Sequence, residues 1–264
     1  MSARSDHPSV QSAEHAIAEV NDLIFRYRGQ TRTALAVNHL SVGAGERLFV
    51  YGPSGGGKST LLSLLAGVLL AQQGTVLLLG TDWRSLGSSA RDRRRGDHVG
   101  YLFQQFNLLS WLPVLDNVCL PCRFSARRAG RAAARSGSVE RDASSWLAAL
   151  DLAPDLWRQP AGTLSVGEQQ RVAAARALIG APELVLADEP TSALDADRRD
   201  EFMARLLPAC QNAGSALVFV SHDRSLELRF DRSLALGART DTHNVPLSSA
   251  SQSAEASPPA EASP

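Results

Sequence analysis

From Val20 the chain places apolar residues in short interrupted runs, first Leu23-Ile24-Phe25-Arg26-Tyr27, then Ala34-Leu35-Ala36-Val37 continuing through Leu40-Ser41-Val42. Glycines at Gly29, Gly43 and Gly45 separate them, so the pattern predicts short strands of an antiparallel flap. Other runs are apolar almost throughout: Arg47 to Tyr51, Leu184 to Ala187 and Ala216 to Val220. Runs of that kind belong to a parallel sheet covered by helices on both faces. Gly74 to Gly80, Val99 to Gln104 and Ser233 to Leu236 read as further strands. From Phe106 to about Arg171 the pattern turns helical, with a break at Ser136-Gly137-Ser138 and an amphipathic segment from Trp146 to Leu152. The expected class is α/β: a mainly parallel sheet between helices, an antiparallel β flap, and an α-helical lobe inserted over residues 106–171.

The two ends differ from this middle. Residues 1–18 are polar and lack periodicity, and residues 241–264 end in a Ser/Ala/Pro-rich stretch that cannot repay its ordering entropy. Both are expected to be disordered, leaving one folded domain over 19–240. Lys and Arg number 27 and Asp and Glu 27, so formal net charge is zero and no global attraction to nucleic acid or membrane is predicted. The longest apolar stretch, Leu61 to Ala71, contains a serine and a glycine and falls short of the ~20 residues of a membrane helix. The polar N-terminus lacks a secretory core, which makes the cytoplasm the default location. Cys119, Cys122 and Cys210 suit a reducing compartment. Cys119-Leu-Pro-Cys122 has C-x-x-C spacing without further zinc ligands nearby, so partly buried thiols are expected. The block Arg91-Asp92-Arg93-Arg94-Arg95 reads as a solvated helix face.

Chemistry enters at Gly52-Pro53-Ser54-Gly55-Gly56-Gly57-Lys58-Ser59-Thr60. The stretch follows a predicted strand, leads into the helical run Leu61 to Ala66, and fits G-x-x-x-x-G-K-[ST]. Gly55, Gly56 and Gly57 allow backbone at positive φ and several N–H groups aimed at one anion. Lys58 supplies a charge for β- and γ-phosphates, Ser59 a hydroxyl for Mg²⁺, and the helix start its positive dipole end. Asp188 ends a buried strand at the sheet edge where ligand sites of this class open, and so is a candidate carboxylate for Mg²⁺. Glu189 beside it is placed to act as general base on a water, worth ~10²–10⁴-fold. His222 follows another strand and can bond both γ-phosphate and the attacking water. Gln104 offers an amide to Mg²⁺ or water where the chain enters the helical lobe. Tyr27 can stack on adenine, a contact worth ~1–3 kcal/mol in comparable cases, or can simply pack a strand face.

Leu164-Ser165-Val166-Gly167-Glu168-Gln169-Gln170-Arg171 resembles the signature motif of ATP-binding-cassette ATPases. With the phosphate loop, Gln104, Leu184 to Pro190, Ser192-Ala193-Leu194-Asp195 and His222, the resemblance runs from about Val20 to Leu236. It implies a P-loop NTPase core and a head-to-tail homodimer, with two ATP molecules held between the phosphate loop of one subunit and the signature motif of the other. Ser165 and Gly167 resemble the phosphate-contacting positions of that motif, and Asp195 the residue that aligns the two sites. Ser165, at a helix start, would form a second anion site too far along the chain to be needed beside Lys58. Val166 stands where most members have the first glycine of a Gly-Gly pair, and a β-branched residue disfavours positive φ.

A cassette without a membrane span is expected to dock on separate integral membrane permease subunits, peripheral on the cytoplasmic face of the inner membrane. The docking surface would lie beside Gln104, including Phe106, Leu108, Leu109, Trp111 and Leu112, unless these are the lobe's own core. The segments around Gln104 and Ser165 are most similar to the lipoprotein-release, macrolide-export and cell-division group. A solute-importer ATPase and a nucleotide-switch regulator remain alternatives.

Overall fold

The computed structural model describes residues 16–237 and 245–246. The strands are β1 (Ala16–Phe25), β2 (Leu35–Gly43), β3 (Arg47–Tyr51), β4 (Gln73–Leu78), β5 (Thr81–Asp82), β6 (Val99–Leu102), β7 (Leu184–Asp188), β8 (Ala216–Val220), β9 (Arg232–Ala235) and β10 (Val245–Pro246). The α-helices are α1 (Lys58–Leu65), α2 (Ser88–His98), α3 (Val114–Phe124), α4 (Ala126–Ser136), α5 (Val139–Ala149), α6 (Val166–Leu178) and α7 (Ala196–Ala213).

Two sheets form. One is antiparallel, in the order β2-β1-β4-β5; the other runs β10-β9-β3-β8-β7-β6 and is parallel from β9 to β6. Alternate residues of the parallel strands enter different cores, as strands buried on both faces require. Phe49, Val185, Ala187, Leu217 and Phe219 pack with the helical lobe and α7. Leu48, Val50, Leu184, Leu186, Val218 and Val220 pack with α1 and the antiparallel sheet. The phosphate loop, Gln104 and His222 follow β3, β6 and β8, and Asp188 ends β7, so the parallel register brings all four segments to one edge of the sheet.

Several expectations need correction. The lead expected through residue 18 is already strand from Ala16, because Ala16 and Ala18 pair with Gly43 and Val42 and alanines too small to mark a period still fill a β-register. Residues 1–15 of that lead lie outside the described residues. Within the expected tail, Val245 and Pro246 pair with Ser233 and Arg232, satisfying backbone on the open side of β9; the tail's other residues lie outside the described residues. The helical stretch does not stop at Arg171: α6 continues to Leu178, carrying the lobe back into the core. The arginine block lies on a helix with no buried residue, as a solvated face would, but three of its arginines are also tied down. Arg91 donates to the Leu86 carbonyl (2.7 Å) and Arg94 to that of Leu78 (2.7 Å), while Arg95 pairs with Asp92. Cys119, Cys122 and Cys210 are buried free thiols, and burial pushes Cys119 and Cys210 up to about 12. Of the apolar residues flanking Gln104, Phe106 belongs to the core whereas Trp111 is 71% exposed.

Candidate active site

The turn from β3 into α1 is made by glycines with different jobs. Gly57, at φ 89°, caps α1, and Gly55 also takes positive φ; Gly56 does not, but a Cβ there would lie 2.9 Å from the Pro53 carbonyl oxygen. The expectation of positive φ at all three was therefore wrong for Gly56, whose requirement is space. Pro53, Ser54 and Gly55 are exposed on the outer curve of the loop, and the Gly56 N–H closes it on the Pro53 carbonyl (3.0 Å). Lys58 is buried beneath, donating Nζ to the carbonyls of Gly52 (2.9 Å) and Pro53 (3.2 Å).

Two residues further, Thr60 Oγ1 shares a 2.9 Å hydrogen bond with Tyr27 Oη, and the Tyr27 ring stands edge-on to Phe25 at 5.1 Å. Gln72 fixes the same loop with its side chain, accepting from the Arg26 N–H (3.0 Å) and donating to the Arg26 carbonyl (2.8 Å). A shallow cavity of about 180 Å³ opens here, lined by Tyr27 and its neighbours.

The acids arrive from β7. Ser59 donates to Asp188 Oδ1 at 3.2 Å across 129 residues of sequence. Burial raises the Asp188 carboxyl above its usual value; the Ser59 bond opposes this and the Glu189 charge adds to it. Glu189 sits in left-handed backbone, φ 44°, with its N–H bonded to the Val220 carbonyl of β8 (3.0 Å). That conformation costs a non-glycine residue of order 1–3 kcal/mol and turns the carboxylate back over the loop. There Glu189 pairs with Lys58 (3.6 Å) and accepts from His222 Nδ1 (3.3 Å). A cleft of about 470 Å³ lies beside His222, lined also by Thr191, Ser192, Arg199 and Arg224.

Not every candidate joins this group. Gln104 stands exposed past the end of β6, and among the described residues it makes no hydrogen bond to the others. Ser165 caps α6, in a reciprocal box with Glu168: the Ser165 N–H and hydroxyl donate to Glu168 Oε2 at 2.8 and 2.7 Å, and the Glu168 N–H donates to Ser165 Oγ at 3.4 Å. These bonds hold the Glu168 carboxyl below its usual range. Gly167 lies in the first turn of α6, and Asp195 caps α7 by accepting from the Arg198 N–H (2.9 Å). Among the described residues nothing bonds Ser165, Gly167 or Asp195 to the phosphate loop.

Residues 35–192, well over half of the chain, match the family model described as ABC transporter. The chain belongs to the ABC transporter family. It is 37% identical over 229 residues to the lipoprotein-releasing system ATP-binding protein LolD of Shewanella frigidimarina, covering 86% of this chain and 92% of that one. It is 37% identical over 209 residues to the macrolide export ATP-binding/permease protein MacB of Bradyrhizobium diazoefficiens, 79% of this chain and 31% of that protein. A dimeric post-hydrolysis structure of the ATP-binding cassette MJ0796, bound to ADP and Pi, superposes with a TM-score of 0.74 at 30% identity, covering 87% of this chain and 98% of that one. The cassette is thus an ATP-binding, ATP-hydrolysing transporter subunit, and no helix among its described residues is long and apolar enough to cross a membrane.

Seen as a cassette, the chain resolves the departure at Val166. That position is the first residue of α6 and carries no positive φ, so the β-branched side chain fits the backbone and stands half exposed at the helix start. Sequence reasoning missed three ties. The pairing of Lys58 with Glu189 and the bond from Gln170 to the Pro190 carbonyl (2.9 Å) are long-range and leave no local signal. Arg176, whose burial lowers it to about 10, donates to the carbonyls of Phe106 and Asn107, both in left-handed backbone just after Gln104. The Ser165–Glu168 box did have a signal, since S-x-x-E before a helix is its local signature.

Proposed function

We propose that the cassette works as a head-to-tail homodimer, hydrolysing ATP between the phosphate loop of one copy and the Ser165 end of α6 of the other, to drive separate membrane permease subunits of the export or lipoprotein-release type. The observation that carries this reading is the division of the site. Phosphate-binding, acidic and histidine groups meet at one sheet edge, while Ser165, the other anion-binding helix start, has only local bonds in its own chain.

In this reading the backbone N–H groups of Ser54 to Thr60 and the Lys58 ammonium hold the β- and γ-phosphates, and Tyr27 packs against the base. Ser59 and Asp188 are two hard oxygen donors side by side, and no group of three His, Cys, Asp or Glu among the described residues could hold a metal by itself. That donor set fits Mg²⁺, which takes few protein oxygens and completes its shell with phosphate and water; Gln104 is the further amide in reach of this edge. Mg²⁺ supplies charge neutralisation at the phosphate oxygens. Glu189 accepts the proton of the attacking water, and His222, bonded to Glu189, holds the carboxylate and meets the γ-phosphate. Asp195 aligns the two copies. Losing the γ-phosphate removes the preference for the closed pair, which is what lets hydrolysis reset the machine.

The subtype rests on likeness to LolD and MacB, proteins named for lipoprotein release and macrolide export, and in this reading the cassette works peripherally, on the cytoplasmic face of the membrane. The test is to purify tagged Glu189→Gln from its native membranes with Mg-ATP and identify the accompanying proteins. A permease with few spans and a large extracytoplasmic domain supports the reading; a many-spanning permease with a solute-binding protein replaces it with an importer.

A further inference from the structure

We infer that Gln170 is a positioning residue for ATP hydrolysis: its buried amide holds the Pro190 carbonyl and thereby sets the turn that carries Glu189. The inference rests on the reading of Glu189 as general base and adds a residue to it.

Besides the Leu194 N–H on the Thr191 carbonyl (3.1 Å), three bonds tie the turn at Glu189 and Pro190 themselves. Below, the Glu189 N–H bonds to the Val220 carbonyl at 3.0 Å; across, the Ser192 N–H bonds to the Glu189 carbonyl at 3.2 Å. Both are backbone bonds that do not depend on which side chains are present. The third is Gln170 Nε2 donating to the Pro190 carbonyl at 2.9 Å, a contact that depends on one side chain. Proline has no N–H, so this carbonyl is the only polar group through which residue 190 can be held.

Both partners are out of water, Gln170 at 1% exposure and Pro190 buried in the turn. An amide inside a helix that is otherwise lined here by Val172, Ala173 and Ala174 is costly unless its bond matters to the structure it makes. Without the donor, the Pro190 carbonyl would be a buried acceptor lacking this partner, and the Pro190–Thr191 peptide would be free to rotate toward another. Glu189 directly precedes Pro190, one residue before that peptide plane, and already occupies left-handed backbone at φ 44°, a conformation that persists only where its surroundings impose it. On the other side the chain passes through Ser192 to Asp195 and into α7. Gln170 therefore stands under the segment joining the proposed base to the residue proposed to align the two copies. It does so from the helix that begins at Ser165, so the signature end and the Glu189 turn are held in one register.

The variant that isolates the bond is Gln170→Met, unbranched and of similar length but unable to donate. In the full chain, kcat for ATP is expected to fall about 10- to 100-fold, the scale of a misplacement near 1 Å. KM for ATP and the affinity for a fluorescent ADP analogue should stay within about twofold, because the phosphate loop is untouched. Gln170→Asn keeps an amide on a shorter stem and should recover part of kcat; if Gln170→Met does not fold, the same split is read from Gln170→Asn. A kcat unchanged within about twofold in Gln170→Met overturns the proposal, as does a parallel loss of kcat and ADP affinity, which marks a purely structural role. Glu189→Gln measured alongside separates the two readings. If that variant hydrolyses ATP at the wild-type rate, both fall; if it is inactive while Gln170→Met is normal, only the role of Gln170 falls.

Discussion

The sheet edge and the Ser165 end of α6, the two proposed anion sites, are built by opposite constructions. At the edge, four strand ends converge, and the key contacts join residues remote in sequence: Ser59 to Asp188, Lys58 and His222 to Glu189. The parallel sheet and its two cores position them, so this half is preorganised before any nucleotide arrives. At the helix start every bond is local, and the donors a phosphate would use are held by Glu168. The first half is a product of the fold; the second is a product of one turn of helix and, in the proposed reading, becomes a site only with a second copy.

Lys58→Ala should show the largest difference between the halves. Removing a buried charge from the phosphates costs about 2–5 kcal/mol, so ATP and ADP binding should both fall by at least about 30-fold in equilibrium titration, with hydrolysis lost. Ser165→Arg strikes the other half. ADP binding should stay within about twofold, while hydrolysis and ATP-dependent dimerisation are lost, because the phosphate loop of the same chain is intact. Equal damage to ADP binding would erase the distinction.

Glu168→Gln sharpens the contrast. The amide oxygen can still accept from Ser165, but the negative charge beside the arriving phosphate is gone. Dimerisation in Mg-ATP should tighten by about 1 kcal/mol, roughly fivefold by sedimentation, on a Coulomb estimate at close range in water. Weaker dimerisation would mean that Glu168 assists the contact.

The smallest effect on activity is expected away from both halves, at Glu183, which receives His98 (2.9 Å), Arg127 (2.9 Å) and Arg131 (2.8 Å) where the chain enters β7. Burial pushes this carboxyl up, but the bonds from His98 and Arg127 outweigh it and hold it at about 2, against the usual 4.5. A depressed carboxylate contributes stability that is full above 4.5 and is lost as pH falls toward about 2. Glu183→Gln should therefore unfold at lower temperature at neutral pH, lose less on acidification across that window, and keep its KM for ATP.

The two halves were also unequally legible. The phosphate loop and the buried strands could be read because their requirements are local: glycines before Lys58, apolar runs before Asp188 and Ser221. Val166 raised a concern about positive φ that the backbone removes, because the position falls in the first turn of α6 rather than in a left-handed turn. Ala16 and Ala18 were missed as strand because small residues mark a period weakly. The ties of Gln170 to Pro190 and of Arg176 to Phe106 and Asn107 depend on how α6 lies against two loops, which no local pattern encodes.

The direct test of the divided site is complementation between two inactive chains. Lys58→Ala retains a sound Ser165 end and Ser165→Arg a sound phosphate loop, so mixing the two purified proteins with Mg-ATP assembles one complete site in each mixed pair. Hydrolysis that appears on mixing, and that neither protein shows alone at the same total concentration, is the predicted result. A mixture no more active than its parents would contradict a site shared between two copies.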